Sequence, residues 1–357
     1  MNILYGIQTT GHGHYIRARA MIAELRKRGH TVETLLSGPP LDGKWDLSIF
    51  EPYQIRQGFT FVSKNGRIDP IRSTLGVNAP KAYWDMHRYP SSHIDLVISD
   101  YEPISARVAW WRNIPSIGVG HMYAFYHDIP VASSRFYHWV TRIMAPVRYP
   151  IGLHWNHYNK QPILPPTIPP EIVPGATLEE DKILVYMGFE NIDEIVAMLQ
   201  PIASHRFHVY CKISEREERG NISLCPFSRD GFLKDLQECG GVIANAGFSL
   251  ASEALHLGKK LLIRPVTTQF EQESNCIALL EGKLGSVMGT LDTDAVKTWL
   301  SFPQIEAMNY SNVIHPFLNW VESGNWENTT DLIEETWASS EHALSTESTS
   351  QNFGFRY

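Results

Sequence analysis

One pattern constrains the fold of this chain more than any other. Short apolar runs alternate with amphipathic stretches, and the alternation occurs twice. In the first half, residues 2–8 (NILYGIQ), 31–36 (TVETLL), 95–100 (DLVISD) and 115–119 (PSIGV) read as buried strands, with helices at 15–28 and 105–112 between them. In the second half, strands at 182–187, 206–211, 242–244 and 260–263 alternate with helices at 191–199, 231–237, 249–257 and 269–280. Continuous apolar runs suit strands covered on both faces, and such strands are joined in parallel by right-handed helical crossovers. Between the halves lies KQPILPPTIPPEIVPGA, with six prolines and a glycine, which reads as a semi-rigid linker. The expectation is an α/β chain of two Rossmann-like parallel-sheet domains facing across a cleft. Its boundaries are 1–160, a linker at 161–176, 177–320, a helical segment at 321–338 with Ser249 of the second domain as a helix N-cap, and a disordered polar tail at 339–357. Residues 40–90 are less regular, with a short strand at 59–62 and a helix starting near 80–87.

Composition narrows the partners. Residues 1–160 carry 18 Lys+Arg against 11 Asp+Glu, a net +7, and the remainder carries 13 against 27, a net −14. Ten of the fifteen histidines fall in the first part, so the halves face different chemistry. There is no Lys/Arg cluster or binding module for nucleic acid. No apolar run reaches the ~20 residues of a membrane span, and the N-terminus enters a strand directly, so the expected location is cytoplasmic. Cys211, Cys225, Cys239 and Cys276 lack metal spacing and read as reduced thiols. Residues 120–158 are rich in His, Tyr, Phe, Trp and Arg, with a helix expected at 133–145. Such residues either belong to the core or line a small-molecule cleft, or they meet a lipid surface, so peripheral contact with the inner membrane is allowed.

Two turns carry chemistry. The stretch 242–272 contains strand, small-residue turn, helix and strand, VIANAGFSLASEALHLGKKLLIRPVTTQFEQ. A turn from a strand end into a helix start gathers free backbone N–H groups and the positive end of the helix dipole, which suits an anion. Glu253, one turn in on the Ser249 face, is placed to accept hydrogen bonds from sugar hydroxyls. A plain βαβ unit would have the same caps.

The second turn is Gly11-His12-Gly13-His14, after the first strand. It lacks the third glycine of a dinucleotide fingerprint, and its histidines lack further ligands for a metal. A third reading is a general base, and a helix-start histidine that only packs or caps stays open beside it. An imidazole titrates near neutrality, and Asp100, at the end of a parallel strand, would orient it. No metal and no cofactor beyond a substrate nucleotide are expected.

These residues resemble the GT-B glycosyltransferases, in the superfamily that holds the UDP-glycosyltransferases and the lipid II-forming N-acetylglucosaminyltransferases of peptidoglycan synthesis. The resemblance lies in Gly11 to Ala18, in Pro226-Phe227-Ser228-Arg229-Asp230, and in Ala244 to Ser249 with Ser252, Glu253, Gly258, Pro265, Gln269 to Gln272 and Asn275. It is specific over 220–285 and weaker elsewhere. The usual Gly-Gly or His-Gly before the donor helix is replaced by Asn245-Ala246-Gly247.

The resemblance implies a metal-independent, inverting transfer from a nucleotide-sugar, most simply a UDP-sugar, to a glycan or lipid-linked hydroxyl acceptor. Gly247, Phe248 and Ser249, preceded by Asn245, would hold the diphosphate, and Glu253 the ribose. Phe227 and Ser228 would meet the uracil, and Gln269, Glu271 and Gln272 the donor sugar. His14, or His12, would be the base, with Asp100 behind it. Gly11, Gly13, Arg17 and His121 would lie on the acceptor side. Two alternatives stay open: a non-hydrolysing UDP-sugar epimerase, and a module that binds nucleotide-sugars without turnover.

Overall fold

The computed structural model describes residues 1–10, 12–38, 46–56, 62–64, 67–69, 84, 86–132, 135–338 and 350–356. Gly11, most of the irregular 40–90 stretch, including nearly all of its expected strand and helix, and residues 339–349 lie outside the described residues, as do the side chains of His12 and of 135–138.

The first half begins β1 (Asn2–Gln8), α1 (His12–Lys27), β2 (Thr31–Ser37), β3 (Tyr53–Arg56), and a small hairpin of β4 (Val62–Lys64) and β5 (Arg67–Asp69). It continues β6 (Leu96–Asp100), α2 (Pro103–Arg112), β7 (Ser116–Gly120), α3 (His121–Ala124), α4 (Arg135–Met144), β8 (Tyr149–Leu153) and β9 (Ile163–Leu164). Seven of these strands form one parallel sheet in the order β3-β2-β1-β6-β7-β8-β9. Parallel pairing requires helices over both faces, and β1, β6 and β7 are buried along almost their whole length.

The second half runs β10 (Glu179–Tyr186), α5 (Ile192–Leu199), β11 (Arg206–Cys211), β12 (Glu217–Arg219), β13 (Ile222–Pro226), α6 (Arg229–Glu238), β14 (Cys239–Asn245), α7 (Phe248–His256), β15 (Lys260–Arg264), α8 (Phe270–Glu281), β16 (Ser286–Met288) and α9 (Thr293–Leu300). It closes with α10 (Ile314–Ser323), α11 (Thr330–Trp337) and β17 (Asn352–Phe353). Its sheet order is β12-β13-β11-β10-β14-β15-β16-β17, parallel throughout except for β12 on β13. The fold is therefore the two-sheet α/β arrangement expected.

Three details correct the expectation. The proline stretch is not only a linker, since Ile163–Leu164 pairs with β8. The helical segment expected at 321–338 starts earlier and is divided between α10 and α11, because Gly324 takes a left-handed φ of 71° and stops the first. The tail is ordered at 350–356. Its strand β17 pairs with β16, and Phe355 is buried, so an apolar residue and a free sheet edge outweigh the polar composition.

The halves share a core. Trp155, just after β8, donates through Nε1 to Ser252 Oγ of α7 at 2.8 Å, and Phe125 packs on Phe270 with ring centroids 5.0 Å apart. At the far end α10 and α11 reach back to the first sheet. Arg28 and His30 contact Glu322 at 2.9 and 2.8 Å, and Trp337 Nε1 donates to Ile163 O at 2.8 Å.

Candidate active site

The site follows from where parallel strands end. Ile7 of β1 is level with Asp100, the last residue of β6, so α1 begins beside that carboxylate. His14, in the first turn of α1, places Nδ1 2.9 Å from Asp100 Oδ1. Arg17, one turn further along, donates Nε to Asp100 Oδ2 at 2.9 Å and Nη2 to Oδ1 at 2.6 Å. Asp100 is fully buried, Arg17 nearly so, and His14 keeps about 20% of its side chain exposed. Burial works against ionising Asp100, but the Arg17 and His14 contacts outweigh it and hold the carboxyl below its ordinary range. Burial likewise opposes the Arg17 charge, and Asp100 reverses that.

With Nδ1–H directed at an ionised carboxylate, the neutral tautomer carries its lone pair on Nε2. The 3.3 Å approach of Arg17 Nη2 to the same Nδ1 is then contact rather than a hydrogen bond. The cluster needs a glycine at the end of β7. Gly120 has φ 154°, and a Cβ there would lie 2.8 Å from Asp100 Oδ1 and 3.4 Å from Arg17 Nη2.

Opposite stands the N-terminus of α7. Its N-cap is Gly247, not the Ser249 read from the sequence, and no side chain among the described residues caps it. The helix starts one residue earlier than expected because Gly247 O already accepts from Ala251 N. The first N–H groups of α7 thus have no intrahelical acceptor. Ser249 is exposed and faces α1: a Cβ on Gly13 would come within 2.2 Å of Ser249 Oγ. The putting together of the two turns is this contact.

Glu253 is buried in α7, with no hydrogen bond to its carboxyl among the described residues. Burial pushes its pKa up to about 7, against the pull of Arg229, and Glu171 adds to the rise. Phe227 is half exposed at the end of β13, edge-on to Tyr186. Ser228 is exposed and caps α6 through Gly231 N. Glu271 lies half-buried on the first turn of α8, and its charge is felt at Arg17 and His121. Gln269 is the N-cap of α8, with its Oε1 buried and unpaired among the described residues.

Other expected site residues turn inward. The Asn245 side chain is buried against Glu190 and the Arg264 carbonyl. Gln272 Oε1 accepts from Val266 N at 2.9 Å. The Phe248 ring packs in the seam between the halves. On the acceptor side, Arg17 binds Asp100 through Nε and Nη2, and both ring nitrogens of buried His121 have partners within the chain. Sequence reading missed the Glu190–Arg264 ion pair beside Asn245. Arg264 ends β15 and Glu190 follows β10, so the strand-end rule that found Asp100 would have found both.

One group with metal-ligand spacing occurs among the described residues: His208, Cys225 and Asp235. Asp235 already accepts from His208, Tyr210 and Lys182, the last at 2.9 Å, so an ammonium holds the place a cation would take.

A base-oriented histidine facing a bare helix N-terminus across two parallel sheets fits group transfer from a diphosphate. Residues 1–302 match the profile described as Glycosyl transferase family 1. The chain belongs to that family. No curated protein matches in a direct sequence comparison. Solved structures share the fold at low identity. The glycotransferase of kitacinnamycin superposes with TM-score 0.57 at 13% identity, covering 95% of each chain. The spinosyn forosaminyltransferase SpnP gives 0.55 at 13%, covering 96% of this chain and 97% of its own. The calicheamicin glycosyltransferase CalG4 gives 0.54 at 13%, covering 95% and 98%. This glycosyltransferase therefore has the GT-B fold. No helix among its described residues is long and apolar enough to cross a membrane.

Proposed function

We propose that this glycosyltransferase moves a sugar, with inversion, from a nucleoside diphosphate sugar to a hydroxyl acceptor, with His14 Nε2 as general base. One observation carries the reading: the Asp100-oriented imidazole sits next to Gly13, which abuts Ser249 at the uncapped start of α7. The acceptor O–H gives its proton to Nε2, and the oxygen attacks the anomeric carbon. The bond to the diphosphate breaks on the opposite side, and the N–H groups and dipole of α7 receive the charge. Glu253 binds the ribose, Phe227 and Ser228 the base, and Glu271 the donor sugar.

The donor is a pyrimidine nucleotide-sugar, UDP first. A related structure, the spinosyn rhamnosyltransferase SpnG, is described as complexed with thymidine diphosphate, so TDP-sugars belong in the same screen. The test is the anomeric configuration of the product together with His14→Ala. Inverted product, with catalysis lost and donor affinity kept, supports the reading. Retained configuration, or equal loss of donor binding, overturns it.

The acceptor we propose is an anionic, lipid-linked glycan precursor met at the cytoplasmic face of a membrane. Support comes from the basic first half and from exposed Trp110, Trp139 and Ile143 on α2 and α4, helices with Arg107 and Arg142 and no acidic residue. Co-sedimentation with anionic but not neutral vesicles is the expected result. No binding to either removes the lipid-linked acceptor.

A further inference from the structure

The seam behind the donor site contains a hydrogen-bond chain whose proton count does not close. His121 opens α3 directly after Gly120 and is buried. Its ring lies flat on Phe248, the first residue of α7, with centroids 3.9 Å apart and planes 5° from parallel. Nδ1 is 3.0 Å from Leu153 O, and Nε2 is 2.7 Å from the Asn275 side-chain oxygen. The Asn275 amide nitrogen donates to Ala246 O at 2.9 Å, in the turn that leads into α7.

Both ends of this chain are backbone carbonyls, which only accept. Neutral imidazole supplies one N–H. With it on Nδ1, the Nε2 lone pair faces the Asn275 oxygen. With it on Nε2, the Nδ1 lone pair faces Leu153 O. Exchanging the oxygen and nitrogen of Asn275 moves the conflict to Ala246 O instead. Only the imidazolium, with two N–H groups, satisfies every contact.

We propose that His121 is a proton-uptake site coupled to donor binding: neutral in the free enzyme, it takes a proton from solvent on its bare ring nitrogen when a diphosphate settles on the N-terminus of α7. The proposal rests on the donor reading above. The imidazolium then completes the bridge from Leu153 O to Ala246 O and puts a positive charge directly behind the anion. The charge-compensating cation would thus be part of the domain seam, and His121 is a positioning residue rather than one that touches the reacting atoms.

The surroundings fit a group poised to change state. Burial lowers the pKa of His121 in the free protein, while Glu271 from α8 and the Leu153 and Asn275 contacts pull the other way. Arg17 from α1 disfavours the proton. The neighbouring His154 ring, 5.4 Å away and held well below its ordinary range by burial, adds no charge at neutral pH. The other faces are covered by the uncharged rings of Phe125, Trp155 and Phe248. A diphosphate adds negative charge on the α7 side, which favours the protonated form and makes binding tighter as pH falls.

The experiment is calorimetric titration of the full chain with UDP-glucose, UDP-N-acetylglucosamine and TDP-glucose, whose diphosphates do not themselves titrate near neutrality. Each is run at about pH 7 in buffers of low and high ionisation heat. The expected slope corresponds to uptake of close to one proton per donor bound. His121→Gln, whose uncharged amide can donate to one of the two oxygens that His121 faces and takes up no proton near neutrality, should bind with that uptake removed and with its pH dependence flattened. The difference between the two proteins separates His121 from Glu253. On the wild type, imidazole nitrogen resonances give the same answer without a variant, since the ring stacked on Phe248 is marked by its shifted carbon-bound protons. Donor binding with no uptake, or uptake unchanged in His121→Gln, overturns the proposal while leaving the donor site standing. No binding of any of the three donors sinks the donor reading, and this proposal with it.

Discussion

The two turns that face each other in this glycosyltransferase are built on opposite principles. The first, around His14, is saturated: a buried carboxylate holds both an imidazole and a guanidinium, and each contact is between 2.6 and 2.9 Å. The second, at the start of α7, is bare: no side chain caps the helix, and Glu253 behind it has no hydrogen-bond partner among the described residues. Saturation fixes an orientation, which a general base requires. Bareness leaves donors and an acceptor for a ligand that arrives with its own charges and hydroxyls. Stability and function should therefore be coupled in the first turn and opposed in the second.

The largest effect that tests this contrast is His14→Ala, for which turnover should fall by ~100-fold or more with donor affinity unchanged. Steady-state kinetics beside a donor titration reads both quantities.

Next comes Arg17→Met, which strands Asp100 in the core. A cost of about 3–5 kcal/mol in urea unfolding is expected, together with lost activity, because one partner of a buried pair has been removed. The same pair sets an acid limit. The folded-state pKa of Asp100 lies below its unfolded value, so its stabilisation is present above the ordinary carboxylate range and is lost as pH falls through the lower folded value. A wild-type-like unfolding midpoint for Arg17→Met would dissolve the idea of a saturated turn.

Glu253→Gln should act in the reverse sense. Its carboxyl titrates at about 7 when folded, above the unfolded value, so wild-type stability falls as pH rises from the ordinary carboxylate range to about 7 and stays reduced above it. Removing the charge should raise stability at alkaline pH by about 2 kcal/mol while donor binding weakens. Thermal melts at two pH values, with and without donor, would show a stabilised protein that binds less well. A destabilised variant would mean that the carboxylate has an internal partner.

The smallest expected effect is at the contact between the turns. Gly13→Ala should lower turnover several-fold by pushing α1 off Ser249, and Ser249→Gly should restore it. Additive losses in the double variant would mean that the two turns do not touch in solution.

Much of this was legible in the sequence, for identifiable reasons. The strands β1, β6, β7, β14 and β15 stand out because parallel sheets demand uninterrupted apolar runs, and Asp100 stands out because it ends one of them. His14 and Asp100 are 86 residues apart, yet strand-end logic brings them together. The directions of side chains were not legible. Arg17 and His121 have the residue types of ligand contacts, and only the structure shows that Arg17 turns to Asp100 beside Gly120 and that His121 stacks on Phe248. Ser249 looks like a cap by type, but helix start is decided by backbone hydrogen bonds, and those begin at Gly247. The ordered tail was hidden because the gain comes from a sheet edge 65 residues away, where Gln351 N donates to Ser286 Oγ.

That tail changes how the halves are wired. The chain passes from the first sheet to the second after Leu164, returns with α10 and α11 to lie against the first, and rejoins the second at β17. Three separate passages stitch the two halves, so the first sheet cannot be cut out together with the helices that lie against it as one uninterrupted piece of sequence. Removal of the chain beyond α11 would leave β16 as a naked edge, and removal from α10 onward would strip the first sheet of its cover at Arg28, His30 and Ile163. Trimming from the C-terminus should therefore first produce protein that associates edge to edge, and only deeper trimming should unfold it.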